Sequence, residues 1–132
     1  MEKPPEKPSI LMVDDDSDFQ GIVRKWLSPH YDHWGLINGA DLMENLEASQ
    51  PDLVIMDVRM PGPNGFELCK RIRADGRFAH LPILFLTGCK EDEDFIKNLD
   101  VGGTAYLTKP IERKDLLAMI RELVPEKQST FP

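Results

Sequence analysis

The stretch Ile10-Leu11-Met12-Val13-Asp14-Asp15-Asp16 decides the reading of this chain. Four consecutive apolar residues without polar alternation fit a strand covered on both faces, as in a parallel sheet. Three acids follow at once, and behind them Phe19, Ile22, Val23, Trp26 and Leu27 recur at i, i+3, i+4, i+7 and i+8. That spacing is one stripe of a helix, with Asp16, Ser17 or Asp18 available to cap it. Strand, acidic turn and helix form one unit, and the fold depends on whether the unit repeats.

It repeats. Tyr31 to Ile37 reads as a weaker strand, and Asn38-Gly39 turns the chain into a short helix carrying Leu42, Met43 and Leu46. Leu53-Val54-Ile55-Met56 is a second buried strand ending at Asp57. A loop with Pro61, Gly62, Pro63 and Gly65 leads to a helix that turns Phe66, Cys69 and Ile72 inward. Ile83-Leu84-Phe85-Leu86 is a further apolar strand ending at Thr87, followed by a very acidic helical stretch from about 91 to 99. Tyr106-Leu107-Thr108 is a last short strand ending at Lys109-Pro110. A helix over about 112–124 then buries Leu116, Leu117, Ile120, Leu123 and Val124. Five such alternations with near-continuous apolar strands predict an α/β fold, an open parallel sheet with helices on both faces.

Outside this pattern, residues 1–8 carry three prolines and alternating charges and read as a disordered lead-in. Residues 125–132 read as a tail or the start of a linker, which leaves one domain over 9–124. The first residues contain no apolar segment of a secretory signal, and no run approaches the ~20 apolar residues that span a bilayer. The expectation is a soluble, cytoplasmic domain. Cys69 and Cys89 are the only cysteines among 132 residues, too few for a disulfide scaffold or a zinc site of their own. The 23 acids outnumber the 16 Lys and Arg, giving a net charge of −7. Such a chain repels nucleic acid and anionic membrane unless a basic patch is segregated, so neither is an expected partner. A cation suits it better.

In open parallel sheets, ligands bind at the carboxyl ends of the strands. The residues standing there are Asp14, Asp15, Asp57, Thr87 and Lys109. Three carboxylates brought together cannot all stay ionised without help. Mg²⁺ resolves the conflict, since it takes oxygen ligands from one or two carboxylates, waters and phosphate oxygens. The Lys109 ammonium complements a carboxylate or a phosphoryl oxygen, and the Thr87 hydroxyl can donate to the same anion. A carboxylate nucleophile, a metal, a lysine and a hydroxyl together form a phosphoryl-transfer site.

These pieces carry a resemblance. Ile10 to Asp16, Leu53 to Asp57 with Met60-Pro61-Gly62 and Gly65 behind it, Thr87, and Tyr106-Leu107-Thr108-Lys109-Pro110 occur in the right order, each at a strand end. The chain resembles the receiver domain of two-component response regulators over essentially all of 9–124. The resemblance implies a flavodoxin-like (βα)5 sheet in the order 2-1-3-4-5. It implies that Asp57 accepts a phosphoryl group from a sensor histidine kinase or a histidine phosphotransfer protein. Asp14, Asp15, Asp57 and the backbone carbonyl of Arg59 would hold Mg²⁺, Lys109 would pair with the phosphoryl group, and Thr87 would hydrogen-bond it. Tyr106 stands where the family's aromatic switch turns inward, acting on a downstream protein, an effector domain or a phosphorylation-dependent homodimer. A receiver is a switch rather than a conventional enzyme, catalysing at most its own phosphorylation and dephosphorylation. Gly88 and Gly103 stand where alanine is usual, and Ile111 replaces the common aromatic. Arg59 and Cys89 occupy positions that tune phosphate hydrolysis.

Other readings compete. Taken alone, Asp14-Asp15-Asp16 is equally a helix cap with acids favoured by the dipole. An EF-hand reading of Asp14, Asp16 and Asp18 fails because Phe19 takes the glycine position and Lys25 the bidentate glutamate position. Asp14-x-Asp16 also resembles the start of a haloacid-dehalogenase-type phosphohydrolase, but of the acids after Lys109, Glu112, Asp115 and Glu122 fall on one helix and Glu126 in the tail. An adaptor that works without phosphorylation is the third reading, opposed by the intact Asp15, Asp57, Thr87 and Lys109 set. His30 and His33 read as a surface pair, Cys69 as core, and Lys70-Arg71-Ile72-Arg73 as a solvated face. Glu91-Asp92-Glu93-Asp94 is either a solvated face or a partner-discriminating patch.

Overall fold

A computed structural model describes residues 7–98 and 103–124. Its elements alternate: β1 (Ser9–Val13), α1 (Ser17–Leu27), β2 (Asp32–Leu36), α2 (Leu42–Ser49), β3 (Leu53–Asp57), α3 (Gly65–Ala74), β4 (Ile83–Thr87), α4 (Lys90–Asn98), β5 (Ala105–Thr108) and α5 (Arg113–Leu123), with a 3₁₀ turn at Gly76–Phe78. All pairings are parallel and the strand order is β2-β1-β3-β4-β5, as expected. Successive side chains on a strand point to opposite faces, so each apolar run feeds two cores. Leu11, Val13, Val54 and Met56 pack with Leu42, Leu46, Leu68, Cys69 and Ile72 on the α2–α3 side. Ile10, Met12, Ile55 and Leu84 pack with Val23, Leu27, Leu116, Leu117 and Ile120 on the α1–α5 side. Central β3 and β4 are buried along their whole length, whereas edge strand β2 leaves Trp34 exposed.

The helix starts follow local chemistry. Asp16 caps α1 by accepting from the Phe19 amide at 3.0 Å. Asn64 and Glu67 form a reciprocal capping box at α3. Gly65 opens that helix hard against the end of β3, where an added Cβ would run into the Asp57 carbonyl and, at 2.9 Å, Met56 Cγ. Gly62, at φ 79°, turns the loop before it in a conformation few other residues adopt.

Two details depart from the periodicity. Ile22, assigned to the buried stripe of α1, is 47 % exposed, because the stripe is narrower than the apolar pattern. Gln20 is buried in its place at the top of the sheet. Its amide nitrogen lies 2.8 Å from the Leu36 carbonyl, 3.1 Å from Asp14 and 3.3 Å from Met12, tying the ends of β1 and β2 together. Packing reaches back to Pro8, buried with its carbonyl bonded to the Asp32 amide. Residues 1–6 of the expected lead-in and the tail at 125–132 lie outside the described residues. Among the described residues, no helix is long and apolar enough to cross a membrane.

Candidate functional site

Register builds the site. Val13 pairs with Met56, and Asp57 with Leu86, so the residues just beyond β1 and β4 flank the end of β3. Thr87 pairs with Thr108, which sets Lys109 one step further out, its amide bonded to the Thr87 carbonyl at 2.7 Å. Asp14, Asp15 and Asp57 thereby present carboxylate oxygens all within 4.8 Å of one another. Asp14 is wholly buried and Asp57 4 % exposed, while Asp15 faces solvent.

Lys109 enters this cluster from the β5 side. Its Nζ donates to Asp57 Oδ1 at 3.0 Å and stands 3.7 Å from Asp14 Oδ2. Asp14 Oδ1 accepts from the Asp16 amide at 2.9 Å, but Oδ2 has no hydrogen-bond partner among the described residues despite its burial. Burial, aided by the charges of Asp14 and Asp15 and opposed by Lys109, pushes Asp57 up to about 6. Burial likewise raises Asp14, against the bond from the Asp16 amide and the charge of Lys109. Burial alone would lower Lys109, yet its bond to Asp57 and the charges of Asp14 and Asp57 outweigh that and raise it. One ammonium therefore serves more negative charge than it can neutralise.

That imbalance is the test of fit for a divalent cation. A buried carboxylate oxygen without a donor, two neighbouring carboxylates and raised acid pKa values suit a hard ion that takes oxygen ligands. The set Asp14, Asp15 and Asp57 is the one expected from the sequence.

The remaining expected residues surround it. Thr87 is buried at the end of β4, its Oγ1 accepting from the Cys89 amide at 3.1 Å. Gly88 beside it leaves room for alanine, since an added Cβ would lie 3.8 Å from Lys109 Cβ. Tyr106 is half-buried on β5 opposite Phe85, with Lys97 Nζ 5.9 Å from its ring centre. Cys69 is core, as expected, and Arg73 is held to the Phe78 carbonyl at 2.8 Å.

Asp92 was not singled out by the sequence. Within the acidic run it is buried, at 5 % exposure, and it accepts a bidentate pair of bonds from Arg59 Nε and Nη2, both 2.8 Å. Its Oδ2 also lies 3.4 Å from Thr87 Oγ1. The available signal was its place on the inward side of α4, which a run of four acids hides.

The comparisons agree with this geometry. Residues 10–121 match the model of the response regulator receiver domain family. The chain is similar to the transcriptional regulatory protein GltR of Pseudomonas aeruginosa, 36 % identical over 92 % of this chain and 51 % of that protein. It is also similar to the sensor histidine kinase TmoS of Ectopseudomonas mendocina, 31 % identical over 92 % of this chain and 12 % of that protein. The solved structure of the chemotaxis response regulator CheY4 of Vibrio cholerae superposes with a TM-score of 0.82 at 28 % identity, covering 90 % of this chain and all of that one. The chain thus spans about half, or less, of the curated relatives it matches. Strand order, the carboxylate cluster with its lysine, and these likenesses converge: the chain belongs to the response regulator receiver domain family, the phosphoryl-accepting switches of two-component signalling.

Proposed function

We propose that Asp57 is the phospho-acceptor of this switch, and that the observation carrying the reading is the Lys109 ammonium held on Asp57 Oδ1 beside two further carboxylates. With its pKa near 6, Asp57 is mostly ionised at neutral pH yet poorly solvated, which suits a nucleophile in a water-poor site. A carboxylate oxygen attacks the phosphorus of a phosphohistidine on a kinase or phosphotransfer protein. An O–P bond forms, the N–P bond breaks, and the imidazole leaves with the electron pair and takes up a proton.

Asp14, Asp15, Asp57 and the Arg59 backbone carbonyl would hold Mg²⁺, which when bound supplies charge neutralisation for the transferring group. Lys109 exchanges Asp57 Oδ1 for a phosphoryl oxygen, and Thr87 turns its hydroxyl toward the same group. Tyr106, beside Phe85 and at the mouth of the α4–β5 face, then changes packing and alters what that face binds. The readers of that face are a downstream protein, an attached effector domain or a second phosphorylated copy. Hydrolysis of the aspartyl phosphate by the same residues resets the switch, and neither nucleic acid nor membrane contact enters the reading, in keeping with a cytoplasmic protein.

Incubation with a small acyl phosphate in Mg²⁺ tests it. The protein gains one acid-stable, base-labile phosphoryl group, and gains none in excess chelator. Phosphorylation that is indifferent to chelator, or steady turnover of a phosphate monoester instead, overturns the reading.

A further inference from the structure

The Arg59–Asp92 pair has a consequence for the switch that lies outside the carboxylate cluster. Asp92 sits in the first turn of α4, and a buried carboxylate is costly unless its oxygens are satisfied. Arg59, from the loop after β3, satisfies both oxygens with its planar fork, although its own side chain is 67 % exposed. Arg59 Nη2 also lies 3.9 Å from Cys89 Sγ, so the guanidinium bridges the loops that follow β3 and β4 at the mouth of the site.

Thr87 is the third member. Its single hydroxyl proton has two acceptors, the Cys89 carbonyl at 3.3 Å and Asp92 Oδ2 at 3.4 Å. Both are long for an O–H donor, so the hydroxyl is loosely held and can be released. A phosphoryl group on Asp57 brings a charge near −2 and oxygens that need donors. Besides Lys109, which already donates to Asp57, donors stand on Thr87, one residue beyond the Leu86 that pairs with Asp57, and on Arg59, two residues along the chain. Thr87 and Arg59 both already face Asp92.

We infer that Asp92 is a positioning residue that competes with the phosphoryl group: by holding the Arg59 guanidinium and facing the Thr87 hydroxyl, it biases this receiver toward its unphosphorylated packing. The inference rests on Asp57 being the acceptor. Phosphorylation draws Thr87 and Arg59 away from Asp92, and the first turn of α4 then loses the partner that fixes it to the β3 loop. Strength of the latch, rather than chemistry at Asp57, sets how readily an anion at the site is accommodated.

The test is a titration with beryllofluoride in Mg²⁺, a non-hydrolysed stand-in for the phosphoryl group, read by the methyl resonance of labelled Thr87. Wild type binds and its Thr87 signal moves; if it does not bind, the acceptor reading fails and not this inference. Asp92→Asn keeps the shape, weakens the hold on Arg59, and binds about tenfold more tightly, the size of an ordinary coupling between sites. Its Thr87 signal before titration is already displaced toward the bound position. Glu91→Gln removes the same charge from an exposed neighbour and changes affinity less than twofold. An Asp92→Asn midpoint equal to or weaker than wild type, or an equal gain in Glu91→Gln, overturns the inference. Where Asp92→Asn does not melt cooperatively, Arg59→Lys replaces it: losing the fork gives a smaller gain in the same direction, and no gain overturns the inference.

Discussion

Lys109 Nζ stands 3.0 Å from Asp57 Oδ1, joining the turn after β5 to the end of β3 across the site. The pair is one cation against several acids, since Asp14 and Asp15 share the same few ångströms. The arrangement leaves the free protein electrostatically strained, and most of its measurable behaviour follows from relieving that strain.

The strain has a pH signature. Asp57 is raised from 3.8 to about 6, so between those values the folded state holds a proton that the unfolded state has lost. Stability therefore falls as pH rises from about 4 to 6, by about 3 kcal/mol for a shift of roughly two units, and stays low above that range. Denaturant unfolding without divalent cations should find Asp57→Asn more stable than wild type at pH 7.5 by about 2–3 kcal/mol. At pH 4 the difference should nearly vanish.

A divalent cation should offset the same repulsion. Mg²⁺ at ten times its dissociation constant stabilises the fold by about 1.4 kcal/mol, and chelator reverses the gain. Binding weakens below pH 6, because a protonated Asp57 no longer offers its charge. Thermal unfolding with and without Mg²⁺ reads both effects; Asp15→Asn should lose most of the shift.

Removing the cation side chain acts in the opposite sense. Lys109→Met leaves Asp14 and Asp57 without their ammonium, so Asp57 titrates above its already raised value. Labelling by an acyl phosphate at pH 7 should fall at least about tenfold, as expected for loss of a group that stabilises transferring charge. Lys109→Arg should rescue it only in part, because a planar fork does not substitute for a compact ammonium.

Away from the chemistry, Gly103 packs against the fully buried Phe85 ring, and an added Cβ would collide with that ring's edge. Gly103→Ala should cost about 1–3 kcal/mol through overpacking. Combining it with Phe85→Leu should recover much of that loss, a coupling visible in a double-mutant cycle of melting curves.

The centre of the sheet was legible because β1, β3 and β4 are buried on both faces and therefore read as unbroken apolar runs ending in polar residues, whereas the more exposed edge strands β2 and β5 gave weaker or shorter signals. Asp14, Asp57, Thr87 and Lys109 could be named because strand ends bound them, and the parallel register then brought Asp14, Asp57 and Lys109 within reach of one another. Asp92 was hidden for the opposite reason: inside Glu91-Asp92-Glu93-Asp94, composition resembles a solvated face, and its burial depends on Arg59, 33 residues earlier. Gln20 was equally silent, since a polar residue between apolar helix positions gives no sign that three strand-end carbonyls await it. Ile22 failed in reverse, an apolar residue at the edge of a stripe that the sheet does not reach. Periodicity reports the faces of single elements, whereas these three depend on pairs brought together by the fold.

The central claim is that Asp57 takes the phosphoryl group. The direct measurement is peptide mapping of protein labelled by an acyl phosphate in Mg²⁺, with Asp57→Asn alongside. The account predicts the label on the peptide containing Asp57 and none on the variant, even though Asp14 and Asp15 remain. Undiminished labelling of Asp57→Asn, or a label mapped to another residue of the wild-type chain, contradicts it.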